Sequence, residues 1–146
     1  MQVEIKIDDN CTEPKIVIIT DRVTKEINKL INTLSLNSLD VITGFRNDLA
    51  QILSVPDISR IYASNGKTFA VVDRKEYIVK QRLYELEEQL KQYNFVRISN
   101  SEILNLKNVK NFDLSLSGTI CVTLSDGTVA YVSRRYVAKI KQILGL

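Results

Sequence analysis

Two dipeptides constrain this chain more than any other feature: Asn65-Gly66, between RIYA and TFAVV, and Asp126-Gly127, between TICVTL and VAYV. Asn-Gly and Asp-Gly supply the positive φ angles that a two-residue type I′ turn needs, and the runs on either side are rich in β-branched and aromatic residues. Each dipeptide therefore predicts a β-hairpin. From Leu39 onward the pattern is mainly β, with FVRI (Phe95 to Ile98) a further strand. The exception is RLYELEEQL (Arg82 to Leu90), where Leu83, Leu86 and Leu90 face one way at helical spacing and Glu85, Glu87 and Glu88 mostly another. SEILNLKNV (Ser101 to Val109) fits neither period cleanly.

The chain closes on a second helical pattern. In VSRRYVAKI (Val132 to Ile140), Ser133 is predicted as the N-cap, and Val137, Ile140 and Leu144 follow at helical spacing. Arg134 and Arg135 then occupy the first turn, where the positive end of the helix dipole disfavours cations by roughly 0.3–1 kcal/mol each. A pair placed against the dipole asks for a compensating partner, although surface arginines often simply extend into water.

The first forty residues read differently. VEIKI (Val3 to Ile7) and KIVIIT (Lys15 to Thr20) are predicted strands, separated by Asp8-Asp9-Asn10 and Pro14. Asp21 is the expected N-cap of a helix whose apolar stripe is Val23, Ile27, Leu30, Ile31 and Leu34, ended by SLNS (Ser35 to Ser38). The predicted organisation is a short ββα segment, 1–38, ahead of a β-rich domain, 39–146. The segment is too small to be stable alone, so it is expected to pack on the remainder or on a second copy of itself.

With 146 residues and 45% apolar content the chain can fill one ordinary core. The start MQVEIKIDDN has neither the basic opening nor the apolar run of a signal peptide, and no stretch nears the ~20 apolar residues of a membrane span, so the expectation is a cytosolic protein. Cys11 and Cys121 stand alone with no CxxC, and the sequence has no histidine. That argues against a zinc site or a disulfide framework, and it excludes Ser-His-Asp, Cys-His and HExxH catalysis. No Gly-rich phosphate loop is present, and Asp8-Asp9 reads as a solvated turn. Neither enzyme activity nor a cofactor is expected. Residues 1–40 hold five Lys/Arg against seven Asp/Glu, a net −2, while residues 41–146 hold fifteen against ten, a net +5. The second part is the expected partner of a polyanion.

Three stretches, taken in order, carry a family resemblance: YIVKQRLYELEEQL (Tyr77 to Leu90), NFVRISNSEILNLKNVKNF (Asn94 to Phe112) and LSDGTVAYVSRRYVAKIKQILGL (Leu124 to Leu146). From about Leu39 to Leu146 the chain resembles the LytTR-type DNA-binding domain of bacterial transcription regulators. The resemblance implies an elongated domain of small β-sheets with one or two helices, which contacts DNA through loops between strands. It places Arg135 and Arg134 at the start of the last helix on DNA, with Asn100 in the loop after FVRI and the Asn65-Gly66-Lys67 turn as the other contact regions. Lys67, Arg97 and Lys110 are expected at phosphates, where they set affinity more than specificity. Arginine suits guanine O6 and N7, and Asn100 would suit adenine N6 and N7 in the major groove.

What the resemblance implies about partners is double-stranded promoter DNA with paired half-sites and, for members lacking a receiver domain, a small membrane protein that holds the regulator inactive. The ββα segment is expected to support a homodimer. The rival reading is a protein-interaction or anti-regulator module on the same fold without DNA binding.

Overall fold

The computed structural model describes residues 1–34 and 41–146. The expected helix stop at SLNS and the boundary between residues 38 and 39 lie outside the described residues. The chain divides into two units, Met1–Leu36 and Asn37–Leu146.

In the first unit the expected helix forms as α1 (Lys25–Leu34). It starts later than the Asp21 cap predicted, because the Thr24 hydroxyl oxygen accepts the Ile27 N–H at 3.3 Å. Ile27 is buried, whereas Val23, Ile31 and Leu34 stay exposed. The two strands expected before it carry no ladder pairing, and Val3, Ile5, Ile7 and Ile19 are all exposed. Of the ββα pattern only the helix is formed among the described residues.

The second unit is built on antiparallel strands. Its elements are β1 (Val41–Arg46), β2 (Leu49–Ser54), β3 (Ile58–Ser64), β4 (Lys67–Val72), β5 (Lys75–Val79), α2 (Leu83–Gln89), β6 (Phe95–Ser99), β7 (Glu102–Asn105), β8 (Val109–Asp113), β9 (Ile120–Leu124), β10 (Val129–Val132) and α3 (Arg134–Ile143). One seven-stranded sheet has the order β2-β1-β5-β4-β3-β7-β6, and a three-stranded sheet has the order β10-β9-β8.

Both predicted hairpins are present, with different turns. Asn65 and Gly66 have φ of 52° and 75°, as a type I′ turn requires. At the second, only Gly127 has positive φ, and Gly127 N–H donates to the Leu124 carbonyl while Leu124 N–H donates to Thr128. This is a three-residue loop, a type I turn followed by a left-handed glycine, in place of the predicted two-residue turn. Asn47-Asp48 and Asp73-Arg74 make further turns at positive φ without glycine. The ambiguous SEILNLKNV resolves into β7, a 3-10 turn at Leu106–Asn108 and the start of β8.

Strand alternation explains how two cores arise from one sheet. Ile103 and Leu104 are consecutive in β7 and must point to opposite faces. Ile103 joins a cluster with Ile61, Ala70, Tyr77, the α2 residues Leu83 and Leu86, and Leu90 just after that helix. Leu104 joins Ile98, Ile120, Val122, Val132 and Ile140, the cluster that seats the small sheet and α3. Ile140 is fully buried. A residue of its kind contributes about 1.5–3 kcal/mol on burial, enough to fix the face that α3 turns inward.

Candidate nucleic-acid interface

Ladder register brings three chain segments to one end of the second unit. β3 runs antiparallel to β7 with Tyr62 opposite Glu102, so the end of β3 meets the start of β7. Beyond the ladder, Ala63 N–H donates to the Ser101 carbonyl at 2.8 Å, which sets the β6–β7 turn beside the strand end that leads to Asn65-Gly66. From the other sheet, Ser133 N–H donates to the Ile98 carbonyl at 2.9 Å, tying the start of α3 to the end of β6. The 65–67 turn, the 99–101 turn and the first turn of α3 therefore share one edge.

On α3, Tyr136, Val137 and Ile140 pack on the core, as does Leu144 just after it, which leaves Arg134 and Arg135 exposed. Ser133 holds the N-cap position in extended backbone, but its side chain makes no cap bond. Arg135 Nη1 donates to Asn100 Oδ1 at 3.4 Å, and the Tyr136 hydroxyl reaches the same oxygen at 3.4 Å. Two of the predicted site residues are thus joined directly. Arg134 turns the other way, over the loop between β8 and β9: its Nε lies 3.4 Å from where a Cβ on Gly118 would be, and Gly118 has φ of 75°. Neither arginine takes part in a salt bridge among the described residues.

Arg97, expected at a phosphate, has its hydrogen bonds within the fold. Alternation along β6 puts Phe95 and Arg97 on the α2 side, where Glu87 stands. Arg97 Nη1 donates to Glu87 Oε2 at 2.7 Å, Nε to the Ser99 carbonyl at 2.9 Å and Nη2 to the Asn100 carbonyl at 2.6 Å. Its side chain is only 14% exposed, so the cation is neutralised inside the fold and braces the turn that carries Asn100. Lys110 is also separated from the shared edge. It lies in the irregular step between Val109 and Asn111, near Leu124, while α3 begins at the other end of the small sheet, where Val132 pairs with Ile120. Asn65 and Lys67 are exposed on their turn.

Two elements of this edge were missed in the sequence: Tyr136, and the loop residues near Gly118. Tyr136 follows the arginine pair in VSRRY, and SLSG before Thr119 is a turn-forming composition, so both signals were available. At the opposite end, Arg74 Nη2 donates to the Asp126 carbonyl at 2.7 Å and ties the β4–β5 turn to the β9–β10 turn.

An antiparallel framework that collects polar turns and a helix start along one edge defines a loop-presenting recognition domain. The LytTr DNA-binding domain model matches residues 50–145. A protein named as an HTH-type transcriptional regulator in Staphylococcus aureus strain COL is 32% identical over 147 residues, spanning 100% of this chain and 99% of that protein. A counterpart of the same description in another strain of that species is 31% identical over the same span. The solved LytTr DNA-binding domain of a Bacillus cereus methyl-accepting/DNA response regulator superimposes with a TM-score of 0.70 at 22% identity, covering 73% of this chain and 98% of that one. The last likeness is one of fold. This chain belongs to the LytTR family of DNA-binding domains. Among the described residues no two helices form a helix-turn-helix pair: α2 leads into β6, and α3 follows β10.

Proposed function

We propose that this protein is a sequence-specific, double-stranded DNA-binding regulator of bacterial transcription that works in the cytoplasm. It docks through Asn65 and Lys67, Asn100, Arg134 and Arg135. The observation that carries this reading is the bond between Arg135 and Asn100 on an edge that also holds the 65–67 turn. Three polar segments distant in sequence have little structural reason to converge there, and a duplex groove supplies one. The first turn of α3 then resolves the charge conflict in VSRRY, because phosphates or base edges compensate the cations that the helix dipole disfavours. Arg97 acts as a brace, and Lys110 contributes at most to the long-range field.

The protein is proposed to bind paired half-sites as a homodimer, with residues 1–38 supporting dimerisation. The exposed Val3, Ile5, Ile7 and Ile19 favour a protein partner for that segment. A second copy is the first choice, and a small membrane-protein regulator is the second. No helix among the described residues is long and apolar enough to cross a membrane. Gel shifts against the DNA upstream of its own gene test the central reading. Binding should weaken steeply with salt, as counterion release demands. No shift with any upstream fragment would favour the rival, a protein-interaction module on the same fold. Light scattering on a 41–146 truncation tests the dimer role, and an unchanged oligomeric state would refute it.

A further inference from the structure

An edge strand offers its outward N–H and C=O groups to any extended chain, and proteins guard such edges by brevity, charge, a bulge or a cover. Among the described residues, β6, β8 and β10 are guarded in this way. At β6 the Ile98 carbonyl takes the Ser133 N–H. β8 carries Lys110 and Asp113 and breaks register between Val109 and Asn111, and β10 has four residues. β2, the edge strand at the other side of the seven-stranded sheet, has none of these devices among the described residues. Its six residues, Leu49 to Ser54, pair with β1 in unbroken register and hold no charge and no proline. Leu49 is 69% exposed and Ile52 72%. Alternation places Ala50, Ile52 and Ser54 on the face opposite the buried Leu53. On that face the ladders align Ala50, Phe45, Ile78, Phe69 and Tyr62 in one row across five strands.

We propose that β2 accepts residues Val3 to Ile7 of a second copy of this chain as an added antiparallel strand. The inference rests on the homodimer reading above and names its surface. VEIKI alternates as a half-buried strand does, yet Val3, Ile5 and Ile7 are exposed and have no ladder of their own. With Ile5 of the second copy opposite Ile52, Ile7 falls opposite Ala50 and prolongs the apolar row, and Val3 falls opposite Ser54. Charge sets the direction. The antiparallel course carries Asp8 and Asp9 of the second copy past Leu49 toward Arg46. Arg46 is opposite Leu49 in the ladder and makes no salt bridge among the described residues. A parallel course would bring the same carboxylates toward Asp57, a like charge just beyond the end of β2. The stretch Lys15 to Thr20 fits less well, because Asp21, the acid that follows it, is offset by Arg22.

The test uses full-length chains in a Cys11→Ser, Cys121→Ser background, one bearing Ile5→Cys and the other Ile52→Cys with a different tag. Directly opposed residues of antiparallel strands have Cα atoms about 4.5–5.5 Å apart, within disulfide reach. Mild oxidation of the mixed chains should give a disulfide-linked pair carrying both tags. Ile19→Cys mixed with Ile52→Cys should give little, and a stronger product there would overturn the choice of segment. A single chain bearing both Ile5→Cys and Ile52→Cys that links within a monomer would overturn the assignment to a second copy. Light scattering supplies an independent arm. Ile52→Lys, with an unchanged circular dichroism spectrum, should raise the dimer dissociation constant about tenfold or more, as loss of a buried isoleucine does. An undiminished dimer in that variant would overturn the proposal. A dimer that forms no link between positions 5 and 52 would do the same while leaving the dimer reading in place. A wild-type chain that stays monomeric at every concentration would remove that reading and the assignment together.

Discussion

Asn100 and Arg135 are 35 positions apart in the chain, and their side chains meet at 3.4 Å. The contact joins the seven-stranded sheet to the helix that follows the small sheet, so it reports on the docking of two cores as well as on the surface. Arg135→Ala should weaken binding to the operator by about ten- to a hundredfold, as loss of a good base contact does. Arg135→Lys should recover little, since an ammonium lacks the planar fork. Anisotropy titrations at fixed salt would measure both, and full recovery by lysine would show that only charge matters.

The Arg97–Glu87 pair has a different signature. Arg97→Ala strands a partly buried carboxylate and releases two carbonyls, and should cost about 2–4 kcal/mol in urea denaturation. Glu87→Gln is the milder probe and should loosen the 99–101 turn, seen as faster amide exchange at Ser101. Neither substitution should change the slope of log affinity against log salt, whereas loss of a phosphate contact would reduce it by about one. A reduced slope in the Arg97→Ala variant would return Arg97 to the phosphate role.

Packing beneath the sheet gives a prediction free of function. A Cβ on Gly44 would stand 2.7 Å from Leu53 Cδ1 and 2.8 Å from Tyr77 Cβ, inside the cluster beneath α2. Gly44→Ala should destabilise the protein by about 1–3 kcal/mol through overpacking. An unchanged thermal midpoint would mean that β1 and β5 can separate at no cost.

Part of the acid behaviour should be traceable to one hairpin. The Asp126 carboxyl is held below the usual carboxylate range by the Thr128 side chain first, and then by the Thr128 N–H at 2.8 Å. A folded pKa depressed below the unfolded value of roughly 3.9 adds stability that is present above that value and lost as pH falls through the folded one. Wild type should therefore exceed Asp126→Asn in urea midpoint at pH 6, with the gap closing toward pH 3. A gap independent of pH would assign the loss to something other than ionisation.

Local signals in the sequence, turn dipeptides and 3.6-residue spacing, carried the two hairpins and both helices of the second unit, whereas the three segments of the edge came from the family resemblance. The turns at Asn47-Asp48 and Asp73-Arg74 escaped notice because they reach positive φ without glycine. The strands expected at Val3 and Lys15 show the converse: β propensity is present, yet no ladder pairs them. The Glu87 partner of Arg97 was not legible because a side chain's face depends on which element packs there. β6 alternation could have put Arg97 beside Phe95, but only the placement of α2 supplied Glu87.

The edge turns are held to the body by backbone amides and carbonyls, as in Ala63 to Ser101 and Ser133 to Ile98, and not by the identity of their outward side chains. A change of amino acid at Asn100 or Arg134 therefore leaves the ladders intact. A lineage carrying this architecture can drift from one target to another by a few surface codons, with the hydrophobic interior inherited unaltered.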